Sequence, residues 1–466
     1  MLIVLGFLLL GFCAWSGWLV HWALNATPAI SVDYGQKLNE LALTRQDAAA
    51  KNEYNALMRL GSTLRQIDDE VQQKYGRASD APPDWDTGLS FPVDLGAVET
   101  AGASAKARAI ALEYLERVKS STVPEDIKAV ADAGLILRPP VSGALIDMLI
   151  PELGDSRKAA RYSRARCVLA AEAGDWDAAT RGIAEMRGLS RAANRDPLLI
   201  GYLVGIAIDA QAADLARELL VKYDVPPAAL ERLAEVFRED ATRRPVSDSF
   251  EAEKLFFLDM CQRTHDASGR FIPSAAGGLA GTGGPGAGSP PIANVVAIAM
   301  PSRAQTEEMG LRVYDRMKEL SLRPRGERRG SADDYLGIEV PQRYILVKLM
   351  IPAVGKAISA GDQGLQQQRA TRVMVALERY RAAQGEYPED LRSLVPAFLD
   401  GVPADPYSDL GFVYKRGQTP AQRATYTLYS VGDDNQDNSG ARARTEHDAL
   451  RAEGKGTDLV FMPVNK

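Results

Sequence analysis

Residues 164–186 read RARCVLAAEAGDWDAATRGIAEM. An Ala-rich run, a Gly-Asp pair and a second run opening on an aromatic predict a helical hairpin. Small side chains let two helices approach closely. Gly174 is suited to end the first helix and Asp175 to cap the second. On both sides the same pattern continues through residues 102–267. Helices are predicted over 103–120, 124–133, 156–173, 176–193, 196–222, 227–240 and 247–266. Breaks fall at Arg138-Pro139-Pro140, Gly174-Asp175 and Val225-Pro226-Pro227.

The hairpin resembles a tetratricopeptide-like pair, although a strict repeat of about 34 residues is missing. A plain irregular helical bundle and a groove built of such hairpins are both compatible with the pattern. The fold class expected is mainly α, an irregular helical bundle, with a small C-terminal α+β module and one N-terminal transmembrane helix.

The chain has 466 residues, room for several domains, with 46% hydrophobic and 25% charged residues. Its net charge of −6 argues against nucleic acid as a partner, since such a protein presents a basic face. Three cysteines, Cys13, Cys167 and Cys261, provide no disulfide framework. Leu2–Leu24 contains no Asp, Glu, Lys or Arg. As a helix it is long enough for a bilayer core of roughly 30 Å. Trp15, Trp18 and Trp22 gather at its C-terminal end, where an interfacial aromatic belt belongs. A cleaved signal peptide would carry a shorter apolar run after basic residues. An uncleaved anchor is therefore expected, with the membrane as partner of residues 2–24.

The expected organisation is an anchor at 1–27, a juxtamembrane helix and loop at 28–100, a helical domain at 101–273 and a Gly/Pro-rich linker at 274–293. A helical connector at 294–361 and the α+β module at 362–466 follow. Helix is predicted from Asp33 to Tyr75 and over 302–320. RPRGERR (323–329) reads as a solvated basic loop, and YILVKLMIPAVGKAI (344–358) as a short buried or interfacial helix. The linker contains a formal GxGxxG at Gly281–Gly286, but it lacks the preceding strand and following helix that a nucleotide site needs.

In the module, Ala370, Val373, Met374, Leu377 and Tyr380 form an apolar helical stripe ended by Gly385. Phe412–Tyr414 and Tyr426–Val431 predict two strands of a small hairpin. ALERYRAAQGEYPEDLRSLV (376–395), PADPYSDLGFVYK (403–415) and YTLYSVGDDNQ (426–436) occur in that order. Together they resemble the globular domain of the major pseudopilin of type II secretion systems. The resemblance covers residues 362–466. The chain as a whole resembles large bacterial envelope proteins carrying such an ending.

The resemblance implies a calcium loop, with Asp434 after the turn, the Val431 carbonyl, Asp458 as a late acidic ligand and Asp437 nearby. Calcium takes six to eight oxygens, which a loop closing on its own end is able to supply. A solvated acidic turn is the alternative. Asn435 stands where the family has Gly, and ARARTEHDALRAEGKG (441–456) separates the ligands. An EF-hand does not fit: counted from Asp433, the Gly position holds Asn438 and the final Glu position holds Arg444. The anchor also lacks the basic leader and the acidic residue of a pseudopilin helix, and it lies far from the module. Assembly into a pilus is therefore not expected.

His21, His265 and His447 are the only histidines. Cys261 and His265 share a helix face but make at most half a zinc site. No GxSxG, HExxH or P-loop motif occurs. The expectation is a non-catalytic binding or scaffold protein of the bacterial inner membrane. It would be single-pass, with its soluble part outside the cytoplasm, protein partners in the envelope and no nucleotide. The alternative is an extracytoplasmic enzyme with its site in the helical domain.

Overall fold

The computed structural model describes residues 26–44, 51–75, 93–99, 102–239, 243–272, 299–323, 325–328, 336–408, 411–417, 426–432, 436–440 and 458–461. The apolar segment 2–24, the linker 274–293 and Asp434 lie outside them. The described residues are mostly helical, with one small sheet.

Eleven helices are described: α1 Tyr34–Leu43, α2 Tyr54–Tyr75, α3 Ala105–Lys119, α4 Val123–Ala133, α5 Pro151–Glu172, α6 Trp176–Asn194, α7 Leu199–Lys222, α8 Pro227–Val236, α9 Phe250–Thr264, α10 Arg303–Ser321 and α11 Ile345–Gln384. The α5–α6 hairpin forms as its residues dictate. Gly174 adopts φ 76°, and the Asp175 side chain accepts the Ala178 N–H at 3.0 Å. Gly182 faces the Cys167 sulfur so closely that an added Cβ would stand 2.3 Å from it. The predicted Asp33–Tyr75 helix does not run through. Residues 51–53 are non-helical, and Asn52 instead exchanges hydrogen bonds with the Leu137 backbone at 2.9 Å.

α7 is rich in apolar residues and packs as a central helix, with Ile200, Ala207 and Asp214 left exposed. Among the described helices it alone is long and apolar enough to cross a bilayer, and most of it is buried within the fold.

α11 runs unbroken across position 361/362, where the sequence reading divided connector from module. Pro352 lies inside it and removes one helical N–H donor without ending it. The N-terminal half of α11 contributes Val347, Ile351, Val354 and Ile358 to a core shared with Phe257 of α9 and Tyr314 of α10. Its later residues Val373, Met374 and Leu377 belong to the main core, together with α2–α8. RPRGERR is not a solvated loop throughout. Arg328 is 2% exposed and donates to both oxygens of Asp362 on α11 at 3.0 Å.

After Gly385, at φ 79°, the chain forms a short 3-10 turn at Leu391–Leu394 and then three antiparallel strands, β1 Val413–Arg416, β2 Tyr426–Ser430 and β3 Leu459–Val460. The register pairs Val413 with Tyr429 and Tyr429 with Val460. β3 was not predicted, since two residues carry no periodicity. Leu428 of β2 enters the same core as Val373 and Leu377. Polar ties reinforce this joint. Arg217 of α7 donates to Thr371 at 3.0 Å, and Arg379 of α11 pairs with Glu231 of α8 at 2.6 Å.

Residues 29–32, which follow the apolar segment, are fastened to the end of α9. The Ala29 N–H donates to the His265 carbonyl at 3.1 Å, and Gln262 bridges Ser31 and Val32. His265 is the one histidine among the described residues, and its Nδ1 lies 2.8 Å from the Cys261 carbonyl. Burial holds its pKa below the usual imidazole range. A depressed histidine contributes stability that is complete above its unfolded pKa of about 6.5 and is lost as pH falls below it. Thermal unfolding is therefore expected to lose stability on acidification below that point. His265→Gln should flatten this part of the profile.

Candidate functional site

The acidic loop is built around two carboxylates. Tyr429 on β2 donates its hydroxyl to Asp437 Oδ1 at 2.8 Å, and the Ser439 N–H reaches the same oxygen at 2.7 Å. The Tyr429 bond in particular keeps the Asp437 carboxyl below the usual range. Asp458, buried just before β3, accepts the Asn438 N–H at 3.3 Å on Oδ1 and the Gly440 N–H at 2.6 Å on Oδ2. Ser439 and Gly440 adopt φ 63° and 79°, which turns their amides inward.

Asp437 and Asp458 thus meet at one turn, and Val431 enters the core beside it. Asp434 lies outside the described residues, so the expected calcium ligand set is described only in part. Among the described residues no group of three His, Cys, Asp or Glu is placed to hold a metal ion. Beneath the loop lies a polar node that the sequence reading missed. Gln366 of α11 donates to Asp405 at 3.2 Å and to Ser430 at 2.7 Å, and Asp405 also accepts the Tyr407 N–H at 3.0 Å. Burial raises the Asp405 carboxyl above its ordinary value.

A second site lies between α9, α10 and the start of α11. It is a cavity of about 490 Å³, within the usual range for ligand sites. Leu199, Phe256, Phe257, Met260, Leu349 and Val354 supply its apolar lining. Ile146 and Leu349 line it while remaining 63% and 66% exposed, so they mark its mouth. Exposed Ile345 lies one helical turn before Leu349.

The polar lining groups are engaged locally. Asp259 accepts the Leu145 N–H at 2.9 Å, Gln262 at 2.8 Å and Arg263 at 2.8 Å. The Thr264 hydroxyl donates to the Met260 carbonyl at 2.8 Å, and the Tyr314 hydroxyl lies 3.4 Å from the Met350 sulfur. Glu253 accepts the Leu199 N–H at 3.2 Å, and burial pushes its carboxyl upward. Cys261, beside this wall, is buried and its thiol is raised by desolvation, which keeps it protonated. None of these groups was singled out in the sequence for a cavity: Glu253, Asp259, Cys261 and Thr264 share α9, but Tyr314, Leu199 and Leu349 meet them only through the fold.

Neither a family model, nor a curated protein, nor a solved structure matches the chain.

Proposed function

We propose that this chain is a non-catalytic binding protein of the cell envelope, tethered at a membrane by Leu2–Leu24, that receives an apolar group of a partner in the α9–α11 cavity. The observation that carries the reading is the cavity itself, large, apolar and open through exposed Ile146 and Leu349. Solvent-exposed hydrophobics around a concave apolar site are the usual mark of binding. Turnover would need a nucleophile within reach of a base. Thr264 and Asp259 are each held by their own neighbours, and Glu253 is a lone carboxyl.

The C-terminal module is read as pseudopilin-like. Its support is the order of elements: a long helix, Gly385, the Asp405 loop, then antiparallel strands meeting at an acidic turn. Here α11 packs against α7 and α8. The module thus serves as a bracket on the helical body. The α5–α6 hairpin is read as tetratricopeptide-like in its close, small-residue seam.

Nile red titrated into the full-length protein in lipid nanodiscs tests the cavity. Leu349→Glu introduces a charge at an exposed position and leaves the core intact. The wild type is expected to show a saturable emission component that the variant weakens about tenfold or more, in line with the cost of desolvating a charge beside an apolar ligand. Equal titrations for the two proteins would refute the reading.

A further inference from the structure

A second crevice lies where the C-terminal part of α6 meets α7 and the segment preceding the turn at Val246–Ser249. Its charge is one-sided. Arg187, Arg191, Arg195, Arg243 and Arg244 line it, and Asp209 is the single carboxylate among the lining residues. Arg187, Arg191 and Arg195 are spaced four apart on α6, so they share one face and repel one another.

Asp209 stands 3.2 Å from Arg187 Nε and 3.9 Å from Arg243 Nη1, yet neither approach closes into a hydrogen bond. Arg187 Nε and Nη1, Arg243 Nη1 and Asp209 Oδ2 are buried atoms without a hydrogen-bond partner. Arg187 is only 5% exposed, and its guanidinium is backed by the Phe237 ring at 4.9 Å. Leaving buried N–H groups of a guanidinium without a hydrogen-bond acceptor is costly, even beside a carboxylate. Two nitrogens of Arg187 and one of Arg243 are thus short of an acceptor at one point.

We propose that this crevice binds a phosphoryl oxyanion, seated on Arg187 and Arg243 and surrounded by Arg191, Arg195 and Arg244. Guanidinium forks match the paired oxygens of a phosphoryl group, and charge-assisted bonds there are among the strongest available. Asn194 and Gln368 add neutral donors at the same wall. The free space is small, about 30 Å³, so the seat takes the phosphoryl group itself and no attached base or acyl chain. The source is a soluble phosphate monoester or a lipid phosphate. The proposal does not depend on the apolar cavity.

The test is thermal unfolding of the full-length protein in phosphatidylcholine nanodiscs, with inorganic phosphate against chloride at matched ionic strength. Phosphate is expected to raise the Tm saturably, as a ligand of the folded state must. Arg187→Met should abolish the rise. Arg191→Gln changes an exposed residue and keeps the test decisive if the buried variant fails to fold. It should weaken the phosphate response at least threefold. In discs containing phosphatidic acid, a rise without added phosphate assigns the lipid source, whereas a rise with inorganic phosphate alone assigns the soluble one. No rise in either arm overturns the proposal.

Discussion

Gly188→Val is expected to destabilise the fold by about 3 kcal/mol or more, at the upper end of what overpacking a core costs. Gly188 lies on α6 where it crosses α4. A Cβ there would stand 2.5 Å from the Cβ of Ala131 and 2.7 Å from its Cα and carbonyl oxygen. Two of those three atoms are backbone, so no rotamer change relieves the clash and the helices must separate. Ile183, Met186 and Leu189, all fully buried on the same helix, would lose contacts as they part. Gly154 on α5 is the control, since nothing lies within 4 Å of its added Cβ. Gly154→Ala should be neutral or stabilising by up to about 1 kcal/mol, through helix propensity and unfolded-state entropy. Urea midpoints of the two variants should move in opposite directions or leave the second unchanged.

Leu428→Ala is expected to cost about 2–5 kcal/mol, the range for emptying a fully buried leucine site. Leu428 is inaccessible to solvent and packs in the core that holds α2–α8. Around it several polar bonds are closed. Tyr387 donates to buried Glu378 at 2.6 Å, Arg381 donates to its other oxygen at 2.9 Å, and Tyr387 meets Tyr426 edge-on at 4.7 Å. These groups have little freedom to collapse into a void, which favours the upper half of the range. The loss should appear in the unfolding of the helical body as well as in the module, because the two share the cluster.

What was legible in the sequence was local. Gly174 and Asp175 announce their turn because a left-handed glycine and a capping aspartate act within a few residues. The stripe from Ala370 to Leu377 marks a buried face for the same reason. What was missed depends on distant partners. Arg328 reads as a surface charge until Asp362, 34 residues on, is folded against it. The division placed at 361/362 falls inside α11, which runs on because residues on both sides of it, such as Ile358 and Val373, are buried against other helices. The cavity draws Leu199, Glu253 and Leu349 from three helices, and no spacing links them. The spacing of Arg187, Arg191 and Arg195 is visible in the sequence, but Asp209 and Arg243 reach them only through the fold. Of the predicted acidic-loop residues, Asp437 and Asp458 do come together, held by backbone amides and a tyrosine hydroxyl.

The account rests on module and helical body forming one body, and native-state hydrogen exchange of the full-length protein tests that most directly. Amides of β2, Tyr426–Ser430, and of α7, Leu199–Lys222, are to be followed with and without Leu428→Ala. Shared opening predicts that both segments exchange through the same global event and lose protection together in the variant. If β2 opens at lower free energy and the variant leaves α7 protection unchanged, the module is a separate appendage and the bracket reading fails.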